Sequence, residues 1–497
     1  MVAGSLAVIL TALSQSGSGA AEPSTATEVV ERPNVILMIL DDATVEDVEH
    51  MPHVQRLLKA NGTSFNRNYV PMPVCCPSRA TMLTGQYPHN HRVLDNAPPL
   101  GGAPAFDDTN TIATYLDANY ETSLVGKYLN AFGSDLSNIP PGWDDWRLPI
   151  HQTTYEYLRQ DQNVNGQLRT FNRYMPSKHG AQVEAFISAL PQSQPYFSYL
   201  GWVAPHGGTP HTDDERRIPS PYVGKRFRGS YSGASLPADP SFNEKDMTDK
   251  PTHLRDRPPL KKAKIRKLKH GLVQRRESLM AVDEKVADIV ATVAERGELD
   301  STYFIFTSDN GYMQGQHRIA FGKNKPYEPS ARVPLIIRGP GFPAGLEYDR
   351  VTGLQDLVPT ILDVTGTELP QSAPAPDGVS LLGLIDGRIT TDRAQLIEIP
   401  YTEGMSDQAV ERQVERFGVP EPVGKAPAVE WQARGVVTND HWKYVEYPRS
   451  GETEMYDLEA DPYELENLSG NPTYALQATR LAALLETYRS CAGSKCH

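Results

Sequence analysis

Asn34–Leu40 reads NVILMIL, seven uncharged residues with no polar alternation, set between Pro33 and Asp41-Asp42. A run of that length and branching predicts a strand covered on both faces, as in a parallel sheet. Comparable runs recur at Thr122–Val125, Tyr196–Val203, Tyr303–Thr307 and Val333–Ile337. Before the fourth run the period changes. Leu279, Val282, Val286, Ile289, Val290 and Val293 fall on one helical stripe that Gly297 ends. Strands alternating with helices predict an α/β fold, a large and mostly parallel sheet sandwiched by helices. Polar residues following the strands would then gather at their carboxyl ends.

The pattern loosens twice. Residues 207–260 are rich in Pro, Gly, Ser and charge and predict a long irregular excursion; a Pro-rich loop at 369–377 precedes Gly378–Ile385. After about 390 the segments shorten and alternate, as in Gly435–Thr438 and Trp442–Tyr447, with a turn at Asp461-Pro462 and a helix from Tyr474 to Tyr488. These predict a smaller C-terminal antiparallel α+β subdomain. The expected division is a leader and linker over 1–31, a main site-bearing domain over 32–389, and the C-terminal subdomain over 390–497.

Composition narrows the class. With 497 residues, 39% hydrophobic and 22% charged, the chain can build a large core and is not disordered. A formal charge of −13 argues against an electrostatic grip on nucleic acid. No uninterrupted apolar run reaches the roughly 18 residues of a membrane span. Leu6–Leu13 is apolar, small and polar residues follow to Gly19-Ala20-Ala21, and the stretch resembles a secretory signal. The expectation is a secreted or extracytoplasmic protein, in which Cys491 and Cys496 could pair across a small loop.

Chemistry concentrates in Cys75-Cys76-Pro77-Ser78-Arg79, continuing to Leu83-Thr84-Gly85. Pro77 suits a first helical turn and Gly85 suits its end, which puts Cys75 at a helix N-terminus where an anionic group is favoured. Arg79 lies one turn on, with a fork of donors for an oxyanion. Three residues separate Cys75 from Arg79, whereas a cysteine phosphatase loop needs five. Asp41-Asp42 and Asp309-Asn310-Gly311 each follow a strand, and their hard oxygens suit Ca²⁺ or Mg²⁺.

In sequence order these pieces resemble the sulfatase family of the alkaline phosphatase superfamily. The signature is Cys75-x-Pro77-Ser78-Arg79-x-x-x-Leu83-Thr84-Gly85. Asp41-Asp42 precedes it; Gly126-Lys127-Tyr128, Ala204-Pro205-His206, Ser308-Asp309-Asn310-Gly311, Gly322-Lys323 and Met455-Tyr456-Asp457-Leu458 follow. The likeness runs from about Pro33 to Leu468. Tyr87-Pro88-His89-Asn90-His91, Gly126–Asn130 with Leu129 two residues after the lysine, and Ser308–Tyr312 look most like N-acetylglucosamine-6-sulfatases and extracellular heparan endosulfatases.

The resemblance implies a sulfuric ester hydrolase acting on a sulfated carbohydrate such as glucosamine 6-sulfate. Cys75 would be oxidised by a formylglycine-generating enzyme to formylglycine (3-oxoalanine), whose hydrate attacks sulfur with one hydroxyl and expels sulfate with the other. Asp41, Asp42, Asp309, Asn310 and an oxygen of modified Cys75 would hold Ca²⁺, or Mg²⁺. Arg79, Lys127 and Lys323 would neutralise the sulfuryl oxygens, and His206 or His317 would move the leaving-group proton. Competing readings are a broad arylsulfatase, a phosphodiesterase or phosphonate hydrolase of the same superfamily, and an inactive sulfated-glycan-binding protein. Fewer His ligands and no Ser or Thr nucleophile separate the chain from the zinc-dependent phosphodiesterases.

Other features have structural readings. His89 and His91 are expected to hold structure, and Cys76 to be a small buried neighbour. Asn61-Gly62-Thr63 and Asn467-Leu468-Ser469 are glycosylation sequons. Lys261–Arg276 carries eight Lys or Arg, either a solvated face or an attractor of polyanions.

Overall fold

The computed structural model describes residues 32–210, 220–401 and 429–497. The expected leader lies outside the described residues, as do parts of the 207–260 excursion and of the C-terminal region. In chain order the strands are β1 (Asn34–Asp41), β2 (Thr63–Phe65), β3 (Asn68–Tyr69), β4 (Glu121–Gly126), β5 (Asp145–Ile150), β6 (Gln160–Val164), β7 (Gln167–Phe171) and β8 (Tyr196–Pro205). There follow β9 (Thr302–Ser308), β10 (Leu335–Arg338), β11 (Leu346–Tyr348), β12 (Thr352–Gly353), β13 (Ala394–Pro400), β14 (Trp431–Thr438), β15 (Trp442–Tyr447) and β16 (Glu452–Asp457). Ten of them form one sheet in the order β11-β2-β10-β9-β1-β8-β4-β5-β6-β7.

The centre of that sheet, β9-β1-β8-β4-β5, is parallel. Strands β1, β8 and β9 are largely apolar because each face meets its own core. In β1, Val35, Leu37 and Ile39 enter one core, and Ile36, Met38 and Leu40 enter the other. The two cores divide β9 the same way, Tyr303 and Ile305 against Phe304 and Phe306. Helices Met175–Ala189 and Lys262–Glu295 cover one face; Cys75–Thr84 and Leu357–Thr365 cover the other. The expected sandwich is therefore present.

The run read as Val333–Ile337 begins at Leu335 and lies antiparallel to β9. A parallel return needs a crossover that carries the chain back to the opposite end of the sheet. Residues 309–334 contain only the short Glu328–Ala331 helix. The chain re-enters from the same end, and the loop stays at the carboxyl edge of the sheet.

β13–β16 form a separate antiparallel sheet, with helix Ala475–Tyr488 packed on it through Leu481, Leu485 and Tyr488. Cys491 and Cys496 are disulfide-bonded. The stripe from Leu279 belongs to a helix that starts at Lys262, so most of the basic run is helical.

Candidate active site

Parallel strands deliver their following residues to one edge. β1 ends at Asp41, β9 at Ser308 before Asp309-Asn310, β4 at Gly126 before Lys127, and β8 at Pro205 before His206. Asp42 adopts a left-handed backbone, φ 69°, a conformation Asp tolerates better than most residues. β4 and β8 approach closely here. A Cβ on Gly201 would sit 2.2 Å from the Lys127 carbonyl oxygen and 2.9 Å from Arg79 Nη1. Glycine at 201 thus makes room for the guanidinium between the strands.

The cysteine arrives from the other core. Helix Cys75–Thr84 is buried along its length and ends in Gly85, φ 72°, as its sequence implies. Asn96 Oδ1 accepts from the Cys76 backbone N–H near its start, at 2.9 Å. Cys76 itself is fully buried.

Asp41, Asp42, Cys75 and Asp309 each place a ligand atom within 4.8 Å of the others, all buried. Three cations interleave with the carboxylates. Lys127 Nζ donates to Asp41 Oδ2 at 2.6 Å, Arg79 Nε to Asp309 Oδ2 at 2.8 Å, and Lys323 Nζ to Asp42 Oδ1 at 2.7 Å. Lys323 Nζ also lies 2.6 Å from Cys75 Sγ. Arg79 Nη1 donates to the Lys127 carbonyl and to the Tyr199 hydroxyl.

Burial disfavours charge on Asp41, but Lys127, with His206, Lys323 and Arg79, holds its carboxyl well below the usual range. Asp309 moves the other way: burial and the neighbouring Asp41 raise it against the opposing cations. Burial works against the Lys127 ammonium too, and Asp41 outweighs it, keeping the lysine charged. Burial, reinforced by Asp41, pushes the Cys75 thiol well up.

The donor set fits a hard divalent cation. The Asn310 amide nitrogen is committed to Asp42 Oδ1 at 2.7 Å and to the Gly311 carbonyl at 2.9 Å. Its Oδ1 is buried with no hydrogen-bond partner, beside three carboxylates. An orphaned carbonyl oxygen in such a place is costly unless a cation or donor meets it.

His206 completes the rim. Its Nδ1 faces the Gly207 carbonyl at 2.6 Å, which requires a proton there, and Nε2 lies 3.8 Å from Asp42 Oδ2. The imidazole stacks on Tyr155, ring centroids 4.7 Å apart, and Lys127 Nζ lies 5.1 Å from the same ring. Tyr155 and Tyr199 carry no motif, so nothing in the sequence marks them.

His317 is held differently. Its Nδ1 faces Glu244 Oε2 at 2.6 Å, its ring lies against Tyr327, and its Nε2 is buried without a hydrogen-bond partner. It lines a cleft with Asp47, Arg276, Tyr312 and Glu328, and no hydrogen bond or ion pair joins it to Cys75 or Lys323. His89 and His91 make structural contacts. His89 spans Glu398 Oε2 at 2.8 Å and the Cys491 carbonyl at 2.9 Å; His91 pairs with Thr81 Oγ1 and accepts from the Val93 N–H.

The sulfatase family model matches residues 33–367. The N-acetylglucosamine-6-sulfatase of Capra hircus is 29% identical over 96% of this chain and 86% of its own length. The arylsulfatase of Volvox carteri is 30% identical over 95% of this chain and 77% of its own. The extracellular sulfatase SULF-1 homolog of Drosophila melanogaster is 34% identical over 72% of this chain, which spans about a third (32%) of that protein. A solved structure in complex with its substrate D-glucosamine-2-N,6-O-disulfate superposes with a TM-score of 0.71 at 23% identity, covering 92% of this chain and 97% of the other. The family match takes in every strand that delivers a residue to the cluster, and the chain belongs to the sulfatase family, a sulfuric ester hydrolase.

Proposed function

We propose that the protein hydrolyses sulfate esters of sulfated sugars, with glucosamine 6-sulfate units of glycosaminoglycans as the preferred class, using Cys75 in its formylglycine form. The observation that carries this reading is Cys75 Sγ inside the carboxylate cluster, with Lys323 Nζ 2.6 Å away. Relatives named N-acetylglucosamine-6-sulfatase support the sugar class.

Asp41, Asp42, Asp309 and Asn310 would hold Ca²⁺ or Mg²⁺, which supplies Lewis acidity toward the sulfate oxygens and the nucleophile. Formylglycine supplies a hydrated aldehyde, one hydroxyl to attack sulfur and a second to release sulfate without water having to enter. The chain's own groups do the rest. Arg79, Lys127 and Lys323 converge on the cluster as fixed cations, placed to offset charge building on the sulfuryl oxygens. His206, with Nδ1 protonated and Nε2 toward the cluster, is placed to move the proton of the leaving oxygen or of the diol. His317, with its orphaned Nε2, is the second candidate for that proton. The protein matures with a formylglycine-generating enzyme and acts outside the cytoplasm. The leader-like N-terminus and the Cys491–Cys496 disulfide support that location.

The test is one set of preparations. Mass spectrometry of the Cys75 peptide should find an aldehyde lighter than the thiol, in protein that carries a divalent metal and cleaves 6-sulfated glucosamine. Asp309→Ala should lose metal and turnover together. Cys75→Ser should accumulate a sulfated serine ester, and Cys75→Ala should bind substrate without turnover. Full activity with Cys75 entirely thiol would overturn the mechanism. Activity confined to aryl sulfates would overturn the sugar class alone.

A further inference from the structure

The basic run Lys261–Arg276 divides along its helix. Lys261, Lys262, Arg266 and Lys269 are exposed, as a solvated face requires, whereas Arg275 is only 3% exposed. Its guanidinium is ion-paired to Asp47 at 2.5 Å. That pair alone does not account for so costly a burial. The attraction between two buried charges roughly repays their loss of hydration, and apolar residues of similar volume often stabilise as well. The other contacts of Arg275 are more telling, because they fall on the two strand ends that supply the carboxylate cluster.

At the end of β1, Arg275 Nη2 donates to the Asp42 carbonyl, from a position 233 residues away. Asp42 has the left-handed φ of 69°, and a residue other than glycine keeps that conformation only where its surroundings hold it. Its other polar groups are tied within the cluster. The backbone N–H donates to Asp309 Oδ1 at 3.2 Å, and Oδ1 accepts from Asn310 Nδ2 and Lys323 Nζ at 2.7 Å each. Asp309, Asn310 and Lys323 would all meet the cation or the sulfate in the reading above, so those bonds change partners when the site fills. The bond from Arg275 comes from outside the cluster and can persist.

Beyond the end of β9, the guanidinium lies over the Tyr312 ring, 4.6 Å from its centroid, a cation–π contact three residues after Asp309. The Tyr312 N–H is itself fixed to the Pro329 carbonyl at 2.7 Å. Asp47 is equally well held. It closes a capping box with Thr44, its N–H donating to Thr44 Oγ1 at 3.1 Å and its Oδ2 accepting from the Thr44 N–H at 3.2 Å. Arg275 is thus clamped between the segment that follows β1 and the segment that follows β9.

We propose that Arg275 is a positioning residue for the metal centre. It fixes the Asp42 backbone against the Asp309–Tyr312 segment, so that the oxygen donors stand ready for a hard divalent cation instead of being gathered by it. The inference rests on the metal-site reading above. Ligands held in place beforehand leave less ordering to be done at binding, and the outer partners of metal ligands commonly set affinity.

The experiment titrates metal-stripped protein calorimetrically with Ca²⁺ and, separately, with Mg²⁺. Arg275→Met alone would leave Asp47 buried and unpaired, so the informative comparison is Arg275→Met/Asp47→Asn against Asp47→Asn. The single variant keeps the donor on the Asp42 carbonyl and should bind the ion nearly as the parent does. The double variant should bind about tenfold more weakly. Its turnover should fall at limiting metal and recover in excess metal, a rescue that a general loss of stability would not give. Arg275→Lys keeps the charge but not the planar fork, and should weaken binding in the same direction; it serves if the double variant does not fold. Equal affinity in the parent and the folded Arg275 variants would overturn the positioning role and leave the metal centre standing. An equal loss in Asp47→Asn and the double variant would assign the effect to the ion pair and overturn the role as well. Parent protein that takes up neither ion would overturn the metal-site reading, and this role with it.

Discussion

Tyr155 lies against both the His206 imidazole and the Lys127 ammonium, and its hydroxyl accepts from Asn130 Nδ2 at 3.1 Å. It does not touch the cluster itself, so it acts by positioning. An imidazole whose Nε2 must aim at a reacting oxygen loses rate steeply when it is free to swing. Tyr155→Leu should therefore lower kcat about 100-fold with a smaller change in KM, and should shift the pH profile of kcat. Tyr155→Phe keeps the stacked ring and should retain most of the rate. Equal losses in both variants would instead assign the effect to the hydroxyl and its bond to Asn130. At this scale the sequence was informative where a residue sits in a motif and silent where it does not. Cys75, Arg79, Asp309 and Lys323 stand in recognisable phrases, whereas Tyr155 follows Thr153-Thr154 with no spacing to mark it.

Helix Met175–Ala189 packs on β4 and β8 and carries His179 into the core beneath the site. The His179 ring meets Gln160 Oε1 at 2.9 Å and Gln162 Nε2 at 3.3 Å, while Nδ1 has no hydrogen-bond partner. Burial, with Lys178, pushes its pKa down from 6.5 to about 3. The unfolded chain therefore binds a proton that the folded chain refuses, and stability falls as pH drops from about 6.5 toward 3. His91, buried beside His89 and also pushed down to about 3, adds to the same slope. Urea unfolding at pH 7 and pH 4 should show the loss, and His179→Gln should recover about 3 kcal/mol of it as an upper limit. An unchanged pH slope in that variant would show that the imidazole is solvated. Some elements were legible from periodicity and some were not. β1 and the stripe from Leu279 announce themselves by apolar spacing. The β5–β6–β7 meander is too polar for that, although Asn165-Gly166, both at positive φ between β6 and β7, is a hairpin signal that sequence inspection can use.

The second sheet braces the Lys323 loop. Lys443 on β15 is buried and reaches Glu328 and Glu464 at 2.7 Å each, and donates to the Pro326 carbonyl at 3.0 Å. On the same loop the Tyr327 hydroxyl donates to Glu454 on β16 at 2.8 Å. Lys443→Met removes the ammonium that contacts both acids and leaves Glu464 buried against Glu328, which keeps its ion pair to Arg332. The expected cost is about 3–5 kcal/mol of stability. Turnover should fall with it, because the loop that aims Lys323 loses its anchor. Thermal unfolding and kcat measured on the same preparation check both. A Met variant as stable and active as the parent would mean the sheet merely sits beside the loop.

Local patterning determined much of this protein. Continuous apolar runs require two-sided burial, helical stripes require a face to cover, and strand ends in a parallel sheet are where polar residues collect. Those rules, with the ordered motifs, placed Asp41, Asp42, Cys75, Asp309 and Asn310 in one site from sequence. Which charge answers which was decided only in three dimensions. Lys127 meets Asp41 across 86 residues, Arg79 meets Asp309 across 230, and Lys323 meets Cys75 across 248. Nothing in local spacing encodes such pairs, because each depends on strand order and on where helices and loops return to the sheet's edge. The antiparallel entry of β10, the stacking of Tyr155 on His206 and the burial of Arg275 within a basic run have the same origin. They follow from where the backbone returns, which long-range packing sets and periodicity does not record.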